Sequence, residues 1–393
     1  MQVFSVALAA SLIFACGASN LPSEQSWKGN CDNPFAKAGK LKFDISGWKT
    51  DFCKHSVDYH EFRGGGIARD GIPPIDSPKY TNVDSANRWI RDVEPVIALE
   101  VAGQARAYPI QILIWHEIVN DELAGQAVAV TFCPLCYAAV VFQRPMLEGA
   151  RFSFGTSGNL RKSDMVMWDR QTESWWQQFE GVGIVGSQTG TKLAQLPAAI
   201  VSWKSFKEAY PNGDVLSRDT GSRRAYGKNP YVGYDDISKK PFAYQGEVGS
   251  EMAPMAHVVG VDLGSVAKAY PLAILRAKGV IHDRLQGQPV TVFWQKGAAS
   301  ALDTEILSDG DDLGEVGVFV SRAGGQELHF EQLSTGGFTD RETNSRWNIV
   351  GHATLGPLKG HKLKSLAHHQ VFWFAWSAFV GERGTLFSAG SLP

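Results

Sequence analysis

The chain has 393 residues, 44% apolar and 20% charged, with a formal net charge of −2. That length exceeds one ordinary core and suits two domains, and the composition excludes a disordered chain. No half is strongly basic, which argues against a nucleic-acid partner.

The first residues read as an export signal. Val3 to Ala15 form an apolar stretch, followed by small residues suited to cleavage near Ala18 or Ser19. Residues 1–18 are therefore expected to leave, and the mature chain is expected to be secreted or periplasmic. A minor alternative is a lipid anchor through Cys16. No later segment approaches a membrane span in length. Residues 19–90 form an N-terminal arm, loop-rich at Gly64-Gly65-Gly66 and Gly71-Ile72-Pro73-Pro74. An exported chain permits disulfides, and Cys31 with Cys53 is the candidate pair.

Next comes a strand at Pro95–Val101, a turn at Ala102-Gly103-Gln104, and a second strand ending at Pro109. The apolar run beyond it predicts a helix from Ile110 to Leu123. Ile110, Ile112, Ile114, Trp115, Ile118 and Val119 would surround most of its axis, so that helix should be buried. His116, Glu117 and Asn120 would make a narrow polar stripe on it. Ala124-Gly125-Gln126 is the next turn, before a strand at Ala127–Phe132. Ala138–Phe142 is β-branched and aromatic, hence another strand. Further strands are expected at Arg151–Phe154 and Met165–Trp168.

The same words then return. Val96–Val130 aligns without a gap on Val258–Val292, with 13 of 35 positions identical. Asp169-Arg170-Gln171-Thr172-Glu173-Ser174 likewise resembles Asp340-Arg341-Glu342-Thr343-Asn344-Ser345. The expected fold is α+β and β-rich: two tandem copies of one strand-strand-helix-strand unit, forming a pseudo-symmetric pair. The first copy spans residues 91–215, a linker 216–250, and the second copy 251–393.

The chemistry-bearing residues lie in the first copy. Cys133-Pro134-Leu135-Cys136 lets two sulfurs converge on one metal or close a reducible disulfide. At the corresponding places the second copy has Gln295 for Cys133, Ala298 for Cys136, Lys278 for His116 and Gly279 for Glu117. The scaffold words persist while these groups vanish together, which favours a functional role in the first copy. Drift fits the same pattern. Cys133, Cys136 and His116 form the candidate ligand set for copper or zinc, with Glu117 as base or supporting partner. Met167 would favour copper if its sulfur joined them, although such methionines more often fill a core. His368 and His369 are candidates for a fourth ligand. The zinc deaminase pattern is rejected, because His and Glu are adjacent here and Pro134 lies inside the Cys pair. The Val140-Val141-Phe142 run argues against the helix that follows a thioredoxin-type pair.

Ser153 to Asp164 reads as a polar hairpin loop. As an alternative, Ser157, Arg161 and Asp164 could contact an anionic cofactor. The catalytic candidates are Glu117, Cys133 and Cys136. The rival functions are a thiol–disulfide oxidoreductase and a non-enzymatic module with a plain Cys133–Cys136 disulfide. Expected partners are a small molecule or a redox protein.

Several linked motifs resemble the exported family catalogued as domain of unknown function 3179. They are Asp70-Gly71-Ile72-Pro73-Pro74-Ile75-Asp76, Ala107-Tyr108-Pro109, Trp115-His116-Glu117-Ile118-Val119-Asn120-Asp121, Thr131-Phe132-Cys133-Pro134-Leu135-Cys136 and Asp169-Arg170-Gln171-Thr172-Glu173-Ser174-Trp175. The resemblance runs from about residue 45 to the C-terminus. It implies that Cys133, Cys136, His116, Glu117 and the 157–164 segment belong to a family pattern. It declares no activity.

Overall fold

The computed structural model describes residues 31–37 and 40–388. The export signal and Cys16 lie outside the described residues. The described residues are 39% strand and 13% helix, an α+β, β-rich fold. Among the described residues no helix is long and apolar enough to cross a membrane.

Among the described residues the first half carries three sheets of four or five strands and one short two-stranded ribbon, Met146–Leu147 with Ala150–Arg151. Ala198–Ser202, Pro95–Val101, Gln104–Pro109, Asp214–Leu216 and Tyr80–Asn82 form one, in that order. Ile118–Leu123, Gln126–Cys133, Ala138–Gln143 and Gln195–Leu196 form another. The third runs Phe62–Gly64, Phe154–Arg161, Asp164–Asp169, Trp175–Gln177 and Val182–Val185. The second half begins in the same way. Strands His257–Asp262 and Ala267–Pro271 are followed by helix Leu272–Lys278 and strands Val280–Leu285 and Gln288–Gln295.

The predicted long helix is corrected. It stops at His116, and Ile118–Leu123 is a strand paired with Gln126–Cys133, Ile118 opposite Thr131. Two causes favour that outcome. Ile118 and Val119 are β-branched and suit a pleated, buried surface. Ala124 and Gly125 both have positive φ, 51° and 77°, the backbone of a two-residue hairpin turn. The hairpin therefore captures the residues that helical periodicity had claimed.

The polar stretch from Ser153 is corrected too. Phe154–Arg161 is an eight-residue strand, mostly buried, and only Lys162 and Ser163 turn before Asp164–Asp169. Two of its polar side chains are satisfied locally. Ser157 Oγ donates to Val166 O at 2.6 Å, and Thr156 Oγ1 to Ile72 O at 2.9 Å.

The two halves share one core. A single buried cluster runs from Ile75 through Trp176 and Phe179 to Phe372, Phe374 and Trp376. Polar contacts cross as well: Ser202 N donates to Glu315 Oε1 at 3.1 Å. Asp214–Leu216, where the expected first copy meets the expected linker, joins a sheet, and Tyr231 and Tyr234 within 216–250 pack against the shared core. The N-terminal arm adds its own aromatic cluster, with Phe52 and Phe62 edge-on to Trp175. There Cys31 is bonded to Cys53.

Candidate functional site

Two tight turns build the site. Cys133 ends its strand, and Pro134–Cys136 makes one turn of 3-10 helix with the proline at its start. Proline suits that place because its missing N–H would be unpaired anyway. Tyr137 then takes a left-handed φ of 56° and returns the chain to Ala138–Gln143. The Lys162-Ser163 turn delivers Asp164 to the same spot. Ligand atoms of Cys133, Cys136 and Asp164 lie within 4.8 Å of one another, and all three residues are buried.

The Asp164 carboxylate is half used. Its Oδ2 accepts from Gln177 Nε2 at 2.6 Å and from Phe179 N at 2.9 Å. Its Oδ1 is buried with no hydrogen-bond partner. An unpaired buried acceptor is costly, which makes this oxygen a candidate ligand atom. Cys136 Sγ lies 3.7 Å from Ser163 O, and the two sulfurs are not bonded to each other.

Glu117 stands beside this cluster in an unusual backbone. It caps the helix Ile110–His116 at φ 59°, ψ −31°, with its N–H donating to Leu113 O at 2.6 Å. Residues other than glycine rarely adopt such conformations, and they concentrate at functional sites. Burial, then the like charge of Asp164, pushes the Glu117 carboxyl up to about 8. Burial pushes Asp164 up to about 6. Burial also raises both thiols, Cys136 furthest. A cation would reverse that cost by stabilising the ionised forms.

His116 does not join the cluster. Its Nδ1 lies 2.7 Å from Pro73 O and its Nε2 2.6 Å from Tyr226 OH, so both ring nitrogens are engaged in scaffold. Met167 is fully buried core, opposite Thr156 and Trp176 in the sheet. His368 Nδ1 contacts Leu366 O, and the His369 ring stacks on Phe179 at 4.6 Å. Ser157, Arg161 and Asp164 are not gathered round one anion. Arg161 pairs with Glu61 at 2.8 Å and donates to Gln177 at 3.1 Å, while Asp164 faces the thiols.

The sequence grouped Asp164 with Ser157 and Arg161, and the structure sets it beside the two thiols. The missed signal lies in the repeat: the spacing that carries Asp169 onto Asp340 carries Asp164 onto Thr335. Asp164 is therefore missing from the second half along with the thiols. Tyr231 and Tyr234 carried no such signal, because their segment has no counterpart in the shared words.

The family described as "Protein of unknown function (DUF3179)" matches residues 69–383. The chain belongs to this family. The match covers every residue of the thiol–carboxylate cluster, so the centre lies inside the DUF3179 region and the Cys31–Cys53 disulfide outside it. No curated protein and no solved structure matches the chain.

Proposed function

We propose that this DUF3179 protein holds one metal ion, zinc or copper, at Cys133, Cys136 and Asp164. The observation that carries the reading is the convergence of those three buried donors, with Asp164 Oδ1 left unpaired. Two thiolates suit either metal, and the carboxylate oxygen shifts the preference toward zinc. Zinc with three protein donors keeps a fourth position open, the arrangement found in hydrolytic centres. Glu117 then serves as the nearby acid or base.

The oxidoreductase rival is weaker. Reactive thiols are lowered in pKa and partly exposed, whereas burial raises both of these. Metal analysis decides the matter. Protein from cells supplied with zinc and copper should retain about one equivalent, and Cys133→Ser and Asp164→Asn should each lose it. Wild-type protein with almost no bound metal under both conditions would end the proposal.

We further infer that the chain is a tandem duplication and is exported. The duplication draws support from matching local networks. Trp176 Nε1 donates to Asp169 Oδ2 at 2.8 Å, and Trp347 Nε1 to Asp340 Oδ2 at 2.8 Å. Tyr108 OH donates to Asp121 at 2.6 Å, and Tyr270 OH to Asp283 at 3.0 Å. Export draws support from the Cys31–Cys53 bond, which suits an oxidising compartment. N-terminal sequencing of the purified protein tests it, with a start near residue 19 expected.

A further inference from the structure

We propose that the cleft between the end of strand Gln288–Gln295 and helix Trp203–Ala209 binds a multivalent organic anion that bridges the two halves. Its class is a polycarboxylate or a sulfate or phosphate ester. The proposal goes beyond the metal centre and does not rest on it, since none of Cys133, Cys136 and Asp164 lines this cleft.

The cleft has a volume of about 1030 Å³, at the upper end for a small-molecule site. By sequence correspondence it stands where the first half has its thiol centre. Gln295 and Thr335 line it, and they correspond to Cys133 and Asp164. The charge differs along with them. Arg276, Lys296 and Arg346 line the cleft at the places where the first half has Ile114, Pro134 and Trp175. Lys204, on the helix of the first half, adds a fourth cation, so both halves contribute positive charge. All four residues are exposed, so a ligand in the cleft reaches their charged ends.

The balance of uncommitted charge selects the ligand class. Among the described residues none of the four cations pairs with a carboxylate, and the one hydrogen bond of the Arg276 side chain goes to Asp312 O at 2.6 Å. Two of the three carboxylates in the walls are already engaged. Asp92 pairs with Lys207 at 2.6 Å. Glu315 is 1% exposed and accepts from Ser202 N, Ser205 Oγ and Gln295 Nε2 at 3.0–3.1 Å. That leaves Glu208 against four cations. The Ser334 and Thr335 hydroxyls and the Asn348 amide N–H also remain free to donate to the oxygens of an anion. A neutral ligand leaves like charges facing one another, and a cationic ligand adds to them. One negative group does not reach cations on both walls, so the ligand carries several.

Isothermal titration calorimetry at physiological ionic strength tests the proposal with three probes: myo-inositol hexasulfate, mellitate and neutral myo-inositol. We expect at least one of the two anions to bind at one equivalent with a Kd below about 100 μM, and myo-inositol not to bind. The tighter anion tells an ester from a carboxylate. Lys296→Ala/Arg346→Ala should weaken binding about tenfold or more, and Lys204→Ala about threefold or more. Lys240→Ala/Lys359→Ala removes two exposed charges outside the cleft and should change the affinity by less than about twofold. Cys133→Ser should bind the anion as wild type does, so a failure of the metal reading leaves this result standing. No binding of either anion up to about 1 mM, equal binding of myo-inositol, an unchanged affinity in Lys204→Ala, or as large a loss in the control as in the cleft variant would each overturn the proposal.

Discussion

Glu117 and Gly279 close their helices in the same backbone conformation, φ 59°, ψ −31° and φ 71°, ψ −39°. Each N–H bonds back to a leucine carbonyl, Leu113 at 2.6 Å and Leu275 at 2.8 Å. Each carbonyl accepts an N–H from the second strand of the hairpin that follows, from Phe132 and Trp294, both at 2.8 Å. Glycine does this job in one half without strain, while the other half keeps a glutamate there at a cost of about 1–3 kcal/mol. Replacing it should therefore stabilise the fold. Glu117→Gly is expected to raise the thermal midpoint of metal-free protein at pH 8, by a net of about 1 kcal/mol. Differential scanning calorimetry checks this, and a lower midpoint would show that the side chain supports the fold.

The pH dependence of stability follows from the same carboxyl. Its folded pKa, about 8, lies above its ordinary value of 4.5. Between those values the folded state keeps a proton that the unfolded chain releases. Stability from this group is thus full below pH 4.5 and is lost as pH rises toward 8, at about 1.4 kcal/mol per pH unit. Asp164 acts in the same sense only up to about pH 6. Buried His257 and His369, lowered to about 3 and about 4, act in the opposite sense as pH falls below their ordinary 6.5. In the window from pH 6.5 to 8, Glu117 is the one of these four groups whose contribution changes. Denaturant unfolding of metal-free wild type should weaken across it, and Glu117→Gln should flatten the slope.

Metal affinity should run the other way. Both thiols are held protonated by burial, so binding must release their protons. Competition titration with a chromophoric chelator should show tighter binding at pH 8.5 than at pH 6.5. An affinity that does not change with pH would speak against thiolate ligation.

The role of His116 separates two accounts of the site. Its ring bridges Pro73 O and Tyr226 OH. His116→Ala should cost about 1–3 kcal/mol by leaving those partners unpaired. It should nevertheless retain about one equivalent of metal. Loss of metal from a folded His116→Ala protein would place the imidazole among the ligands.

Asp169 and Asp340 should behave alike although only one half holds the thiols. Each accepts from a buried indole at 2.8 Å and from a threonine N–H three residues on at 2.6 Å. Asp169→Ala and Asp340→Ala are each expected to lose about 2–4 kcal/mol, since several buried donors lose their acceptor. Chemical denaturation measures both, and a loss confined to one of them would show that the matching networks do unequal work.

Much of this architecture was legible in residue order. Alternation and turn residues placed Pro95–Val101 and the hairpin turn at Ala124-Gly125. Repeated words set out the order of elements in both halves, and the Cys pair marked where chemistry could sit. Local pattern failed where two local preferences competed. Ile110 to Leu123 satisfied a helical period, yet pairing with Gln126–Cys133 claimed its second half. That choice rests on a partner strand and on burial, which a short window does not contain.

Tertiary structure completed the candidate donor set. Spacing within the chain named Cys133 and Cys136, because two residues between thiols bring sulfurs together whatever the fold. Asp164 lies far along the chain from both, and only the packing of one hairpin turn against a strand end puts its oxygen beside them. The same packing turned His116 toward Pro73 and Tyr226. Side-chain direction depends on the backbone at each residue, and the reversal at Glu117 is imposed by the strand that follows it.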